Sequence, residues 1–173
     1  MRTFLAHTIL VGLLACTAVS GADAGPWGTT RRSSRVTPSP RPAPARSFAA
    51  ENRALALINA HRRAHGLRLL RADDRLAAVA RAHAYDMARR GYFSHANRRG
   101  QSPFDRMARG GIRYRAAAEN LAVASTTDQA VAAWMDSHGH RANILGRRFT
   151  HTGIGMARST SGRLYIVQLF ADY

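Results

Sequence analysis

The chain has no lysine and one cysteine, Cys16. A lone cysteine excludes an intrachain disulfide, so the fold must stand on its apolar core. Without lysine, all 26 basic residues are arginine, set against 10 acids for a net charge of +16. Such uniformity resembles codon bias from a G+C-rich genome and weakens a reading of charge as function. A basic surface still draws phosphates, anionic lipids and acidic envelope polymers. A nucleic-acid domain would add a reading helix or aromatics interleaved with the arginines. Neither is present, and no nucleic-acid partner is expected. A long apolar run is also lacking: the stretch from Phe4 to Val19, interrupted by His7 and Thr8, is short for a span of about 20 residues.

What is present at the N-terminus is a targeting pattern. Arg2 supplies a positive start, the apolar stretch follows, and Ala22-Asp23-Ala24 is a small-x-small cleavage site. Residues 1–24 are therefore expected to be a signal peptide cut after Ala24, which makes the protein secreted. A second reading stays open. Leu13-Leu14-Ala15-Cys16 resembles a lipobox, in which Cys16 would be lipidated and anchor the chain. Residues 25–48, rich in Pro, Ser, Thr and Arg, cannot bury enough surface to offset their ordering entropy and read as a disordered linker. The domain is expected over 49–173.

From Phe48 the texture changes. Residues 50–65 read as a helix with Leu55, Ile58 and Arg62 at helical spacing. Asp73 can cap a second helix whose Leu76, Val79, Ala80, His83, Ala84 and Met87 follow the helical period up to Gly91. Ser102-Pro103-Phe104-Asp105 opens a short helix that ends at Gly110-Gly111. Thr126 to Gln129 resembles a capping box and opens a helix bearing Val131, Trp134 and Met135. Residues 153–157 and 163–170 read as an antiparallel hairpin, and 119–124 as a further strand. Helices first and strands mostly last predict an α+β fold with helices packed on a small antiparallel sheet.

Three places hold polar residues that this pattern leaves unexplained: His95, the pair Glu119-Asn120, and the segment 134–145, in which His138 and His140 bracket Gly139. Two neutral imidazoles and a carboxylate suit an open zinc site with water in the fourth position. A carboxylate beside a histidine could equally hold that imidazole as a base. His95 and His140 lie 45 residues apart, so this is no local metal motif.

The motifs INAHRRAHGL, ARAHAYDMARRGYFSH, SPFDRM, AENLA, WMDSHGHRANIL, FTHTGIGMA and YIVQLF together resemble the CAP superfamily in its short bacterial, SCP-like form, over about residues 50–171. The resemblance implies a three-layer α-β-α sandwich and a cleft lined by two histidines and two acids, which binds zinc in some members. His95 and His140 match the two histidines and Glu119 one acid, although Ala118 stands where a glycine is usual. For the other acid the chain offers only Asp136 or Ser137. Asn120, His138 and Gln168 are further candidates for the cleft lining, Gln168 because it alternates with Ile166 and Phe170 and needs a polar partner. His83 reads as a satisfied core histidine, and Arg141 and Asn143 as residues that fix a turn.

The expectation is a monomeric, non-enzymatic binding module for a divalent metal and a small apolar or envelope ligand, associated with an anionic envelope or membrane surface. The first rival is a metal- or histidine-assisted hydrolase using His95, Glu119 and His140. The second is a basic wall-associated adhesion protein.

Overall fold

This computed structural model describes residues 45–173, with side chains from Phe48 onward. The signal peptide, Cys16 and most of the expected linker lie outside the described residues. In chain order the elements are α1 (Ala45–Ala64), β1 (Arg71–Ala72), α2 (Asp74–Arg90), α3 (Pro103–Arg109), β2 (Ala116–Ala124), α4 (Thr127–Asp136), α5 (His138–Ile144), β3 (His151–Arg158) and β4 (Leu164–Asp172). The first helix thus starts ahead of Ala50, within the segment read as linker.

The caps lie where the sequence places them. Asp73 accepts from the backbone N–H groups of Arg75 and Leu76, and Gly91 closes α2 with φ 65°, a left-handed conformation that suits glycine. Ser102 and Asp105 form a reciprocal capping box at α3, with Pro103 in its first turn. Thr126 caps α4 through the Gln129 N–H. The turn expected around Arg141 and Asn143 is instead part of the helix α5, which has no side-chain cap.

The sheet runs β1-β3-β4-β2, with β3–β4 and β4–β2 antiparallel and the two-residue β1 parallel to β3. Every residue of β4 from Leu164 to Ala171 is buried, because both faces of the sheet are covered. Ile166 and Phe170 pack with Ile58 of α1, Val131 and Trp134 of α4, and Ile144 of α5. Tyr165, Val167 and Leu169 pack with Leu76, Ala80, Ala84 and Met87 of α2 and Met107 of α3. Successive side chains of a strand point to opposite faces, so one strand feeds two cores. The result is a three-layer α-β-α sandwich.

Two features hold the layers. On β3, a Cβ built on Gly153 would lie 2.1 Å from the Ala77 nitrogen, and one on Gly155 2.0 Å from the Arg81 nitrogen. The backbone of α2 lies directly on the strand, and only glycine leaves room for it. On the other face, Arg62 is fully buried. It donates to the carbonyls of Arg68 (2.8 Å), Ile144 (2.6 Å), Gly146 (3.0 Å) and Phe149 (3.4 Å). A cation at the C-terminal end of α5 satisfies carbonyls that the helix leaves open. Arg62 does share a face with Ile58, as its spacing predicts, but it serves there as a buried clamp.

Gly155→Ala tests the contact between α2 and β3. Forcing a methyl into packed backbone is expected to lower the unfolding free energy by about 3 kcal/mol, read as a lower urea midpoint at unchanged slope.

Candidate functional site

The site is built around the edge strand β2. Glu119 and Asn120 are consecutive and point to opposite faces of the sheet. Glu119 turns toward the side of α2 and α3, and its side chain is 1% exposed. Its Oε2 accepts from Arg106 Nη2 at 2.6 Å, and its Oε1 accepts from His95 Nδ1 at 2.8 Å. Both carboxylate oxygens are therefore committed, one of them in an ion pair.

This hydrogen bond sets the tautomer of His95. A carboxylate oxygen accepts, so Nδ1 carries a proton, and Nε2 has no hydrogen-bond partner among the described residues. The ring is partly solvent-accessible, with its side chain 37% exposed. Its backbone is fixed from two sides. Arg106 Nη1 donates to the His95 carbonyl (2.7 Å) and to that of Gln101 (2.9 Å), while His83 Nε2 donates to the Ser94 carbonyl at 2.9 Å. Helices α2 and α3 thus hold the loop between them.

Asn120, fully buried, serves the other face. Its Nδ2 donates to the His140 carbonyl at 3.2 Å, and its Oδ1 accepts from Asn143 Nδ2 at 2.9 Å. Those bonds tie α5 to the strand, and Arg62 holds the helix at its other end. The His140 ring keeps a buried Nδ1 without a hydrogen-bond partner. Burial holds its pKa below the ordinary value, and the nearby His95 lowers it further. His95 thus acts electrostatically on His140, with Glu119 bonded to the first ring.

The other expected residues are placed differently. Asp136 and His138 are exposed, and among the described residues no hydrogen bond or ion pair joins them to His95, Glu119 or His140. Gln168 is fully buried beside Asn120 in the strand register. It donates to Thr152 Oγ1 at 3.2 Å, while its Oε1 has no partner. His83 is a core histidine, 2% exposed, and Trp134 is a core anchor whose Nε1 donates to the Leu121 carbonyl at 2.9 Å. Arg106 escaped the sequence reading. The only signal for it was its place in the SPFDRM motif, since one arginine among 26 carries no weight alone. Among the described residues, no three His, Cys, Asp or Glu side chains form a metal-holding cluster.

A model of the cysteine-rich secretory protein family, CAP, matches residues 55–170. The chain belongs to the CAP family. It is 43% identical over 120 residues to YkwD, an uncharacterized protein of Bacillus subtilis (strain 168), covering 69% of this chain and 47% of YkwD. The crystal structure of an extracellular protein containing a SCP domain from Bacillus anthracis str. Ames superposes with a TM-score of 0.69 at 31% identity, covering 78% of this chain and 45% of that one. This chain spans less than half the length of each. NaASP2, solved with Zn2+, shares the CAP fold at 15% identity and a TM-score of 0.54, covering 72% of this chain and 80% of that one. No described helix is long and apolar enough to cross a membrane.

Burial holds the pKa values of His83 and His140 below the ordinary 6.5, with Arg106 adding to the effect on His83. Both rings are neutral in the fold and take up protons more readily when unfolded. Below about pH 6.5 the unfolded chain binds more protons, so stability is complete above that pH and declines as pH falls toward the folded values. Urea midpoints are expected to stay level from about pH 8 to 7 and to drop between about 6.5 and 5.

Proposed function

We propose that this CAP domain is an extracytoplasmic, non-enzymatic binding module in which His95 and His140 hold a divalent metal ion such as zinc. The observation that carries this reading is the Arg106–Glu119–His95 chain. It leaves the His95 Nε2 lone pair free, at a ring that interacts with a second, neutral imidazole. Neutral imidazoles are zinc donors, and a carboxylate bonded to the far nitrogen of a ligating histidine fixes its orientation and raises its basicity. Glu119 fits that supporting place better than a direct ligand position, because both its oxygens are engaged. The orphaned Nδ1 of His140 fits a donor in want of a partner. That NaASP2 was solved with Zn2+ agrees with the reading.

The wider ligand in this reading is a small apolar or envelope molecule, with Phe93, 39% exposed and two residues before His95, as a contact. The module acts as a monomer. Secretion with cleavage after Ala24 is proposed, with lipidation of Cys16 as the alternative. The mass of the mature N-terminus separates the two.

The same Glu119–His95 hydrogen bond would serve a general base, so a hydrolase is the second reading. Calorimetry with zinc is expected to show stoichiometric uptake that disappears in the double variant His95→Ala/His140→Ala and weakens by about 10–100-fold in Glu119→Gln. Undiminished uptake in the double variant would refute the metal site. Incubation with a panel of peptides and envelope polymers is expected to release no product. Release that is lost in Glu119→Gln would replace the binding reading with the enzymatic one.

A further inference from the structure

On the side of β2 away from Asn120, residues 79–90 of α2 and the segment 97–109 line an open hollow of about 320 Å³. Five arginines line it, Arg90, Arg98, Arg99, Arg106 and Arg109, and a single acid, Asp86. Asp86 is already engaged: it pairs with Arg90 at 2.9 Å and accepts from the Tyr92 hydroxyl. Arg106 is neutralised by Glu119. The guanidinium charges of Arg98, Arg99 and Arg109 have no ion pair among the described residues, and a concave wall of one sign concentrates counter-ions.

The abundance of arginine in this chain makes a cluster alone uninformative. Two buried atoms set this hollow apart. His83, 2% exposed, lines it and donates through Nε2 to the Ser94 carbonyl, so Nδ1 of the neutral ring is a bare acceptor; it is buried and has no partner. Arg106 also lines it, and its buried Nε–H is a donor without an acceptor. Buried polar groups are normally hydrogen-bonded, and leaving one unmade is costly.

We propose that this hollow binds a phosphate ester or hydrogen phosphate, with the arginines taking its charge and its acceptor and donor oxygens satisfying Arg106 Nε and His83 Nδ1. Sulfate carries the same charge at pH 8 but has no proton to give His83. Hydrogen phosphate, or a phosphate ester with a neighbouring hydroxyl, carries both functions. The volume exceeds that of one phosphate group, which suits an esterified ligand, either a free polyol phosphate or a segment of a polyol-phosphate envelope polymer. This site is independent of the proposed metal site except that both use Arg106.

The test is an NMR titration of the full chain at pH 8 in moderate salt with inorganic phosphate, sulfate, glycerol phosphate and a polyol-phosphate polymer. Saturable shifts confined to α2 and residues 97–109 are expected, with phosphate at least about tenfold tighter than sulfate. Arg99→Gln/Arg109→Gln is expected to weaken phosphate by about tenfold or more while leaving zinc uptake unchanged. Arg147→Gln/Arg148→Gln, which removes the same charge from the α5–β3 connection, is expected to leave phosphate binding intact. Tighter binding of the polymer per phosphate group identifies an envelope polymer as the occupant; equal binding identifies the free ester. Equal losses in the two double variants, equal affinity for sulfate, or no saturable shift with any probe overturns the site, the last meaning that it holds water only.

Discussion

The carboxylate of Glu119 is the constraint on which the site depends. Taking such a group out of water costs several kcal/mol, and that cost is offset only if both oxygens find strong partners. Arg106 meets one and His95 the other. Because Arg106 also grips the carbonyls of His95 and Gln101, the ion pair that makes the buried charge tolerable also shapes the loop that carries the exposed imidazole. Removing Glu119 would strand Arg106, and removing Arg106 would strand Glu119. The orientation of His95 follows from that mutual dependence.

The edge position of β2 explains how two helical layers reach one site. A strand with a neighbour on only one side can be wrapped from above and below. The loop before α3 approaches Glu119 on one face, and α5 approaches Asn120 on the other. Each approach has its own anchor in the fold: α2, seated on Gly153 and Gly155, holds the Ser94 carbonyl through His83, while Arg62 of α1 gathers the carbonyls that follow and end α5. His95 and His140 are therefore held from opposite faces of one edge strand, the first through Glu119 and the second through Asn120. As a member of the CAP family with an extracellular structural neighbour, the domain achieves this without disulfides, on packing and two arginine clamps, the buried Arg62 and the half-buried Arg106.

Much of the scaffold was legible in local chemistry. The period and caps of α2, the Ser102–Asp105 capping box and the β3–β4 hairpin depend on neighbours a few residues away, and they stand close to where they were read. Two elements were not legible. β1 consists of two residues paired in parallel with a strand nearly eighty residues distant, which no local pattern can announce. α5 contains His, Gly and Asn, weak helix formers, and lacks a side-chain cap; its stability comes from Arg62 and from the Asn120–Asn143 contact. His138 and Asp136 show the same limit in reverse, since their proximity in sequence to His140 did not bring them into its hydrogen-bonded group.

The sequence by itself determined which residue types were available: a charge carried only by arginine, a core that must do without cross-links, two histidines and a glutamate in motifs shared with a family, and helix ends written in their caps. Only the tertiary structure decided which of these groups meet. It placed Arg106 against Glu119, gave Arg62 its carbonyls, and faced His83 and Arg106 onto a common hollow. Such contacts join segments remote along the chain, and a buried charge selects its partner by distance and desolvation, quantities that exist only once the layers have closed.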